Sequence, residues 1–324
     1  MTSPGAPPVR PRVVAVVVTW NRRRLLLESL LAVTAENAAA VVVVDNASTD
    51  GSADLVAERF PEVDLVRLQA NIGGAGGFAA GVDRAVSNHG ADLVWLLDDD
   101  TVPEPGALAA LVDARERHPG VPPTLVASRV VWTDGRDHPM NTPRRKPLAR
   151  PAEVAAARQV ACLPIRSASF VSVLVDADAV RERGLPLAAY FLWNDDFEFT
   201  TRLLRGRVGL WCPASRVVHK TRTFGDTDAD PGERFRYEVR NKVWLFGRSP
   251  GLAPAERALY AGSTLRRWLR TVARSRQRGV LARAGWQGLV QGVRAGPPPT
   301  SEVLERAGYR TTGAASGSAG GSHG

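Results

Sequence analysis

Three adjacent carboxylates, Asp98, Asp99 and Asp100, follow the apolar run 93–97 (LVWLL) with no polar transition. That pattern reads as a buried strand ending in concentrated negative charge. Adjacent acids at a strand tip repel one another, so folding tolerates them best where a cation or a cationic network compensates them. The chemistry expected there is a divalent metal. Hard ions such as Mg²⁺ or Mn²⁺ take carboxylate oxygens and complete their shell with substrate phosphates. A second acidic group, Asp195, Asp196 and Glu198, stands behind the bulky run 190–193 (YFLW). Glu198 is placed to pair with Arg202 one helical turn on. One of the two adjacent aspartates could be partly desolvated and serve as a general base. His219, in the polar stretch HKTRT, could complete a mixed oxygen and nitrogen metal shell.

These groups need a scaffold, and the first hundred residues describe one. Residues 13–19 are a continuous run of Val, Ala and Thr, the pattern of a strand buried on both faces, and Asn21 then turns the chain into a helix at 22–33. A strand at 41–44 ends in DNASTDG, whose Ser and Thr can cap a helix at 52–59. A third strand, 64–68, precedes NIGGAGGF, after which 78–86 reads as a helix, and 93–97 is the fourth strand. Alternation at this spacing predicts an α/β fold, a mostly parallel sheet flanked by helices, with a crevice at the C-terminal strand ends. Thr19, Asp45, Asn71 and Asp98 all fall on those ends.

Beyond this the expected elements are a helix to about residue 116, strands at 125–132 and 169–175, a short helix at 178–183 and a helix entered from the segment 190–199 and running through 204. A short strand at 208–211 and the segment 214–220 follow. Residues 134–150 hold three prolines, a glycine and five Arg or Lys, and read as a mobile basic loop. The expected organisation is a disordered lead-in at 1–11, a main domain at 12–233, a basic helical region at 234–295 and a loose tail at 296–324.

The formal charge of +9 and pI near 10.4 point to anionic company: nucleic acid, an anionic membrane surface or phosphorylated substrates. Nucleic acid is disfavoured because no stacking-aromatic platform accompanies the charge. Between Arg266 and Arg294 there are eight arginines and no acid, which suits peripheral attachment to anionic lipid as well as a solvated helix face. No run reaches the roughly 18 apolar residues of a membrane span, and no signal peptide is expected, which places the chain in the cytoplasm. Cys162 and Cys212 are then expected to be reduced thiols without a catalytic role.

The glycines admit a rival reading. Gly74-x-Gly76-x-x-Ala79 follows a strand and finds Asp98 about 20 residues on, a dinucleotide-binding fingerprint that would suit an NAD or FAD enzyme. Against it, two strand-helix units precede the motif, and Asp98 belongs to a triplet that suits a metal better than a ribose hydroxyl. The plain reading is that these glycines let backbone approach a ligand or a neighbouring strand closely.

Taken together, VVVTWNR, VVVVDNASTDGS, NIGGAGGF, WLLDDD and FLWNDDFEFTTRL resemble, in this order and spacing, the family 2 inverting glycosyltransferases of the GT-A fold. The similarity covers about residues 12–225. Within the family the motifs look most like bacterial cell-wall galactofuranosyltransferases, with rhamnosyltransferases that use dTDP-rhamnose close behind. The resemblance implies a nucleotide-diphosphate sugar donor and a lipid-linked or glycan acceptor. It implies that Thr19, Asn21 and Asp45 hold base and ribose, and that Asn71, Gly73 and Gly74 line the donor pocket. Asp98, Asp100 and His219 would hold Mn²⁺ or Mg²⁺, Asp99 would contact ribose or sugar, and Trp193 would pack beside a sugar. Asp196, paired with Asp195, matches the catalytic base. Trp20 and Asn194 depart from the residues common at their positions. A catalytically silent nucleotide-sugar-binding scaffold would lack an acid at 98, 100 or 196, and all three are present.

Overall fold

The computed structural model describes residues 10–221, 224 and 230–313. Its N-terminal part runs β1 (Val13–Thr19), α1 (Arg23–Thr34), β2 (Ala40–Asp45), α2 (Ser52–Arg59), β3 (Asp64–Arg67), α3 (Gly73–Ser87) and β4 (Leu93–Asp98). Next come β5 (Thr101–Pro103), α4 (Ala107–Glu116), β6 (Leu125–Val131), β7 (Arg144–Arg145), α5 (Pro151–Gln159), β8 (Leu163–Ser167), β9 (Ser172–Asp176) and α6 (Ala177–Arg183). The chain continues through α7 (Asp195–Leu203), β10 (Gly209–His219), α8 (Phe235–Arg248), α9 (Pro254–Arg274), α10 (Arg278–Arg294) and α11 (Thr300–Arg306).

The strands form one sheet in the order β3-β2-β1-β4-β9-β6-β10-β8-β7, with β5 also paired to β10. The β3-β2-β1-β4 half is parallel, and β9 enters antiparallel between β4 and β6. Period-2 alternation sends successive residues of β1 to opposite faces, and both faces are covered. Val14, Val16 and Val18 join one core with Phe78 and Ala79 of α3; Val13, Ala15 and Val17 join the other with Leu26 and Leu30 of α1 and Trp95 of β4. That double burial is why β1 reads as an unbroken apolar run.

Several elements differ from the sequence expectation. Helix α3 begins at Gly73, five residues before the expected start, although glycine is a poor helix former. Close packing overrides propensity here. A Cβ on Gly77 would lie 2.4 Å from Val18 Cγ1, and Gly73, at φ +75°, would place one 1.9 Å from the carbonyl oxygen of Phe191. Gly73→Ala is therefore expected to cost about 1–3 kcal/mol and to displace the 191–194 segment. A thermal melt together with kcat checks this, because a change harmless to both would mean the segment adapts freely.

Residues 134–150 are not simply a loop. They contain a 3-10 turn at Pro139–Asn141 and the strand β7, and His138 is fully buried. Helix α5 and strand β8, not expected from the sequence, follow them. The expected strand and segment at 208–220 are one strand, β10, with an irregularity between Cys212 and Arg216. Within the tail expected to be loose from 296, α11 forms. Its Leu304 is buried beneath α3, and Tyr309 donates a 2.9 Å hydrogen bond to Asp83. Residues 1–9 and 314–324 of the two expected disordered segments lie outside the described residues. Cys162 and Cys212 are buried free thiols.

Candidate active site

Strand register assembles the first part of the site. Thr19 of β1 pairs with Asp45 of β2, and Val18 pairs with Asp98 of β4, so three polar strand tips share one edge of the sheet. His219, at the end of β10, pairs with Thr101 just beyond the acidic triplet. One ligand atom from each of Asp98, Asp100 and His219 lies within 4.8 Å of the other two. Two carboxylate oxygens and an imidazole nitrogen so grouped fit a hard divalent ion with open positions for phosphate oxygens.

The compensation that the triplet requires comes from two cations. His219 Nε2 is 3.0 Å from Asp100 Oδ1, and Arg22 pairs with the other oxygen of Asp100 and lies 3.8 Å from Asp99. Arg22 has no signal of its own in the sequence, where it stands only as the first residue of the helix expected at 22–33. Burial works against ionised Asp100, but His219 and Arg22 hold its carboxyl below the usual range. Burial and the neighbouring Asp100 push Asp98 up to about 6. The imidazole of His219 rises, because Asp100 and Asp98 outweigh its own burial. Its Nδ1 lies 2.9 Å from Asn141 Oδ1, an arrangement that directs Nε2 toward the acids.

Asp99 is turned away from this group. Its Oδ2 accepts from the Thr19 hydroxyl at 2.8 Å and from the Trp20 amide at 3.2 Å, and burial followed by the charge of Asp100 pushes it up to about 7. Thr19 thus spends its hydroxyl on Asp99. Asp45 accepts from the Ser48 amide through Oδ2, while its buried Oδ1 has no partner, an orphaned acceptor suited to a ligand hydroxyl or N–H. Asn21, at φ +51°, accepts from the Thr49 amide and ties the 48–50 turn to the end of β1. The side chain of Asn71 accepts from the Gly73 amide, and Asn46, which sequence reading passed over, bridges Ile72 N–H and Gly73 C=O. Gly74 has open space around it.

The second acidic group arrives on α7. The charge of Asp196 raises both Asp98 and Asp195, and that of Asp98 raises Asp195, so the fold brings the two acidic motifs within electrostatic reach of each other. Burial, then Asp196, pushes Asp195 well above its ordinary value. Asp196 is raised by burial as well, but it faces Lys242 and Arg144, whose charges favour its ionised form, and it accepts the Phe197 amide at 2.6 Å. Of the two, Asp196 is the one whose surroundings support a carboxylate. Glu198 pairs with Arg202 at 2.9 Å in a buried, locally satisfied arrangement.

The approach to α7 is strained. Phe191, Trp193 and Asn194 all have positive φ, between +63° and +65°. Helix α8 holds them: Asn241 Nδ2 donates to the carbonyls of Tyr190, Leu192 and Trp193 at 2.8–2.9 Å, and Glu238 accepts from Asn194 at 2.7 Å. Arg234 lies over the Trp193 ring. These α8 residues carry no local sequence signal, since their partners are more than 40 positions away.

The buried acids set a pH dependence. A carboxyl whose folded-state value is raised binds its proton more tightly when folded, so its contribution is present below its unfolded value near 4 and is lost as pH rises. For Asp98 and Asp99 that loss spans about pH 4 to 7. The raised imidazole of His219 acts in the same direction at higher pH. Melts in chelator are expected to show lower Tm at pH 8 than at pH 5, with Mn²⁺ restoring most at pH 8. A metal-free Tm that rises over this range would contradict the assignment.

Comparison with known proteins gives the family and the fold. Residues 14–168 match the glycosyl transferase family 2. The chain is 30% identical over 231 residues to the galactofuranosyltransferase GlfT1 of Mycobacterium tuberculosis, covering 65% of this chain and 73% of that protein. Among solved structures, S. aureus TarS 1-349 superposes with a TM-score of 0.59 at 15% identity, over 90% of this chain and 83% of TarS. The mannosyltransferase PcManGT from Pyrobaculum calidifontis, in complex with GDP-Man and Mn²⁺, gives 0.52 at 19% identity, over 93% and 80%. The fold is that of the GT-A glycosyltransferases, which removes the dinucleotide reading of the glycines. The chain belongs to glycosyl transferase family 2 and is a glycosyltransferase.

Proposed function

We propose that this protein transfers galactofuranose from a UDP-linked donor to a hydroxyl of a lipid-linked or cell-wall glycan acceptor, by single displacement with inversion at the anomeric carbon. The observation that carries the reading is the convergence of Asp98, Asp100 and His219 with Asp195 and Asp196 at one sheet edge. The relation to a galactofuranosyltransferase at 30% identity supports the choice of sugar.

Asp98, Asp100 and His219 would hold Mn²⁺ or Mg²⁺, which when bound supplies charge neutralisation for a departing nucleoside diphosphate. Asp45, with its free Oδ1, Asn21 and the end of β1 would receive base and ribose, and the N-terminus of α3 would face the sugar-diphosphate. Asp99, locked on Thr19, would shape that wall, with ribose or sugar beside it. Asp196 accepts the acceptor proton as the acceptor oxygen attacks the anomeric carbon, while the bonding pair to the diphosphate oxygen leaves with the nucleotide. Asp195, raised by burial and then by Asp196, lies where its neutral form is favoured, which would spare Asp196 a second negative neighbour. Trp193, beneath Arg234, offers an aromatic face to a sugar.

Among the described residues no helix is long and apolar enough to cross a membrane. Helices α8 to α10 nevertheless form an open apolar groove of about 600 Å³ lined by Phe235, Trp268, Leu269, Leu281, Trp286 and Leu289. Trp286 is 67% exposed and Leu269 65%, beside the arginines of 266–294. That combination supports peripheral attachment to an anionic bilayer, on its cytoplasmic side, where a lipid-linked acceptor would lie.

A donor screen tests the reading. With Mn²⁺ present, UDP-galactofuranose should be consumed in preference to UDP-galactopyranose and dTDP-rhamnose. Preferred use of dTDP-rhamnose would replace galactofuranosyl with rhamnosyl transfer.

A further inference from the structure

We propose that Lys242 and Arg144 form an anion site beside Asp196 that takes a phosphate group of the acceptor. The inference rests on the transferase reading above and specifies its acceptor as a phosphate ester. Among the described residues the buried arginine and lysine side chains are Arg166, Arg202 and Lys242, at 4%, 7% and 5% exposure. Arg166 is matched by Glu256 and the carbonyl of Thr201, and Arg202 by Glu198 and the carbonyl of Leu185. Lys242 differs, for its ammonium has no hydrogen bond or ion pair among the described residues. Its nearest acid on α8, Glu238, is already taken on both oxygens, by Asn194 and by Arg267 with Trp268.

Arg144 has no ion pair among the described residues either, and it reaches the same spot from a different part of the chain. The Lys242 ammonium is 4.7 Å and the Arg144 guanidinium 5.3 Å from the centre of the Phe197 ring, and both act electrostatically on Asp196 next to it. Arg267 adds a further positive charge toward Lys242. A buried, unmatched ammonium is costly unless an anion completes it. Burial first, with Arg267 and Arg144 adding to it, moves Lys242 down to about 8 despite the nearby charges of Glu238 and Asp196, so the two acids do not fully compensate the site. Asp196 is too little to satisfy both cations, and its free oxygen is needed for the acceptor proton. A phosphate is tetrahedral and multiply charged, and it can accept hydrogen bonds from ammonium and guanidinium together. Seated there, it would anchor an acceptor on the base side of the site and leave Asp98, Asp100 and His219 to the donor.

The test is calorimetric titration of geranyl phosphate, and separately of inorganic phosphate, into full-length protein holding UDP and Mg²⁺. Both should bind with the donor site filled. Lys242→Met and Arg144→Gln should each weaken geranyl phosphate by about tenfold or more, while Lys242→Arg stays within about threefold. UDP affinity should be the same in all variants. Arg144 is exposed, so Arg144→Gln gives a reading even if Lys242→Met perturbs folding, which circular dichroism would reveal. Equal phosphate affinity in wild type and Arg144→Gln, or displacement of the phosphate by UDP, would overturn the proposal. Failure of the transferase reading would look different, as wild-type protein with no metal-dependent UDP binding.

Discussion

Asp196→Asn is expected to lower kcat for sugar transfer by about 10²- to 10⁴-fold, the range a positioned general base contributes, with little change in UDP affinity. An amide keeps the shape and can still accept the Phe197 amide hydrogen bond, so folding should survive. It cannot take the acceptor proton. Asp195→Asn should cost much less, because Asp195 lies in a setting that already favours its neutral form. The two variants therefore separate the pair: equal losses would mean that the acids share the proton rather than divide the work.

The second large effect concerns the metal group. Asp100→Asn should reduce transfer by more than the roughly 10- to 100-fold typical of outer-shell partners of metal sites, with partial recovery at high Mn²⁺. Asp100 also compensates Arg22 and His219, so its removal leaves two cations facing one another. Asp98→Asn removes a proposed ligand without breaking either of those pairs, and its loss should be almost wholly metal-dependent. Chelation of the wild type should reproduce Asp98→Asn more closely than Asp100→Asn. If all three behave alike, the pairing of Asp100 with Arg22 has no independent role.

Much of this site was legible because its chemistry sits at the ends of locally specified strands. The apolar runs of β1, β2 and β4 fix which residues become strand tips, and the register then brings Thr19, Asp45 and Asp98 together. His219 can be singled out from its position after a strand, but its Asn141 partner cannot, since the 134–150 segment has no periodicity and is mostly polar. The start of α3 is not legible for a related reason: its glycines oppose a helix locally and are accepted only because β1 and Phe191 leave no room for a side chain. The α8 clamp on the strained 191–194 backbone was hidden by sequence distance. The eight arginines of 266–294 could be counted in the sequence, whereas the apolar groove beside them exists only once α8, α9 and α10 pack.

The most direct test of the central assignment is UDP titration of wild-type and Asp98→Asn protein, each with Mn²⁺ and with excess chelator. If Asp98, Asp100 and His219 hold a metal against the donor diphosphate, Mn²⁺ should tighten UDP binding to the wild type by about tenfold or more, and Asp98→Asn should lose that gain. UDP binding that is equally tight with and without metal in the wild type would contradict it.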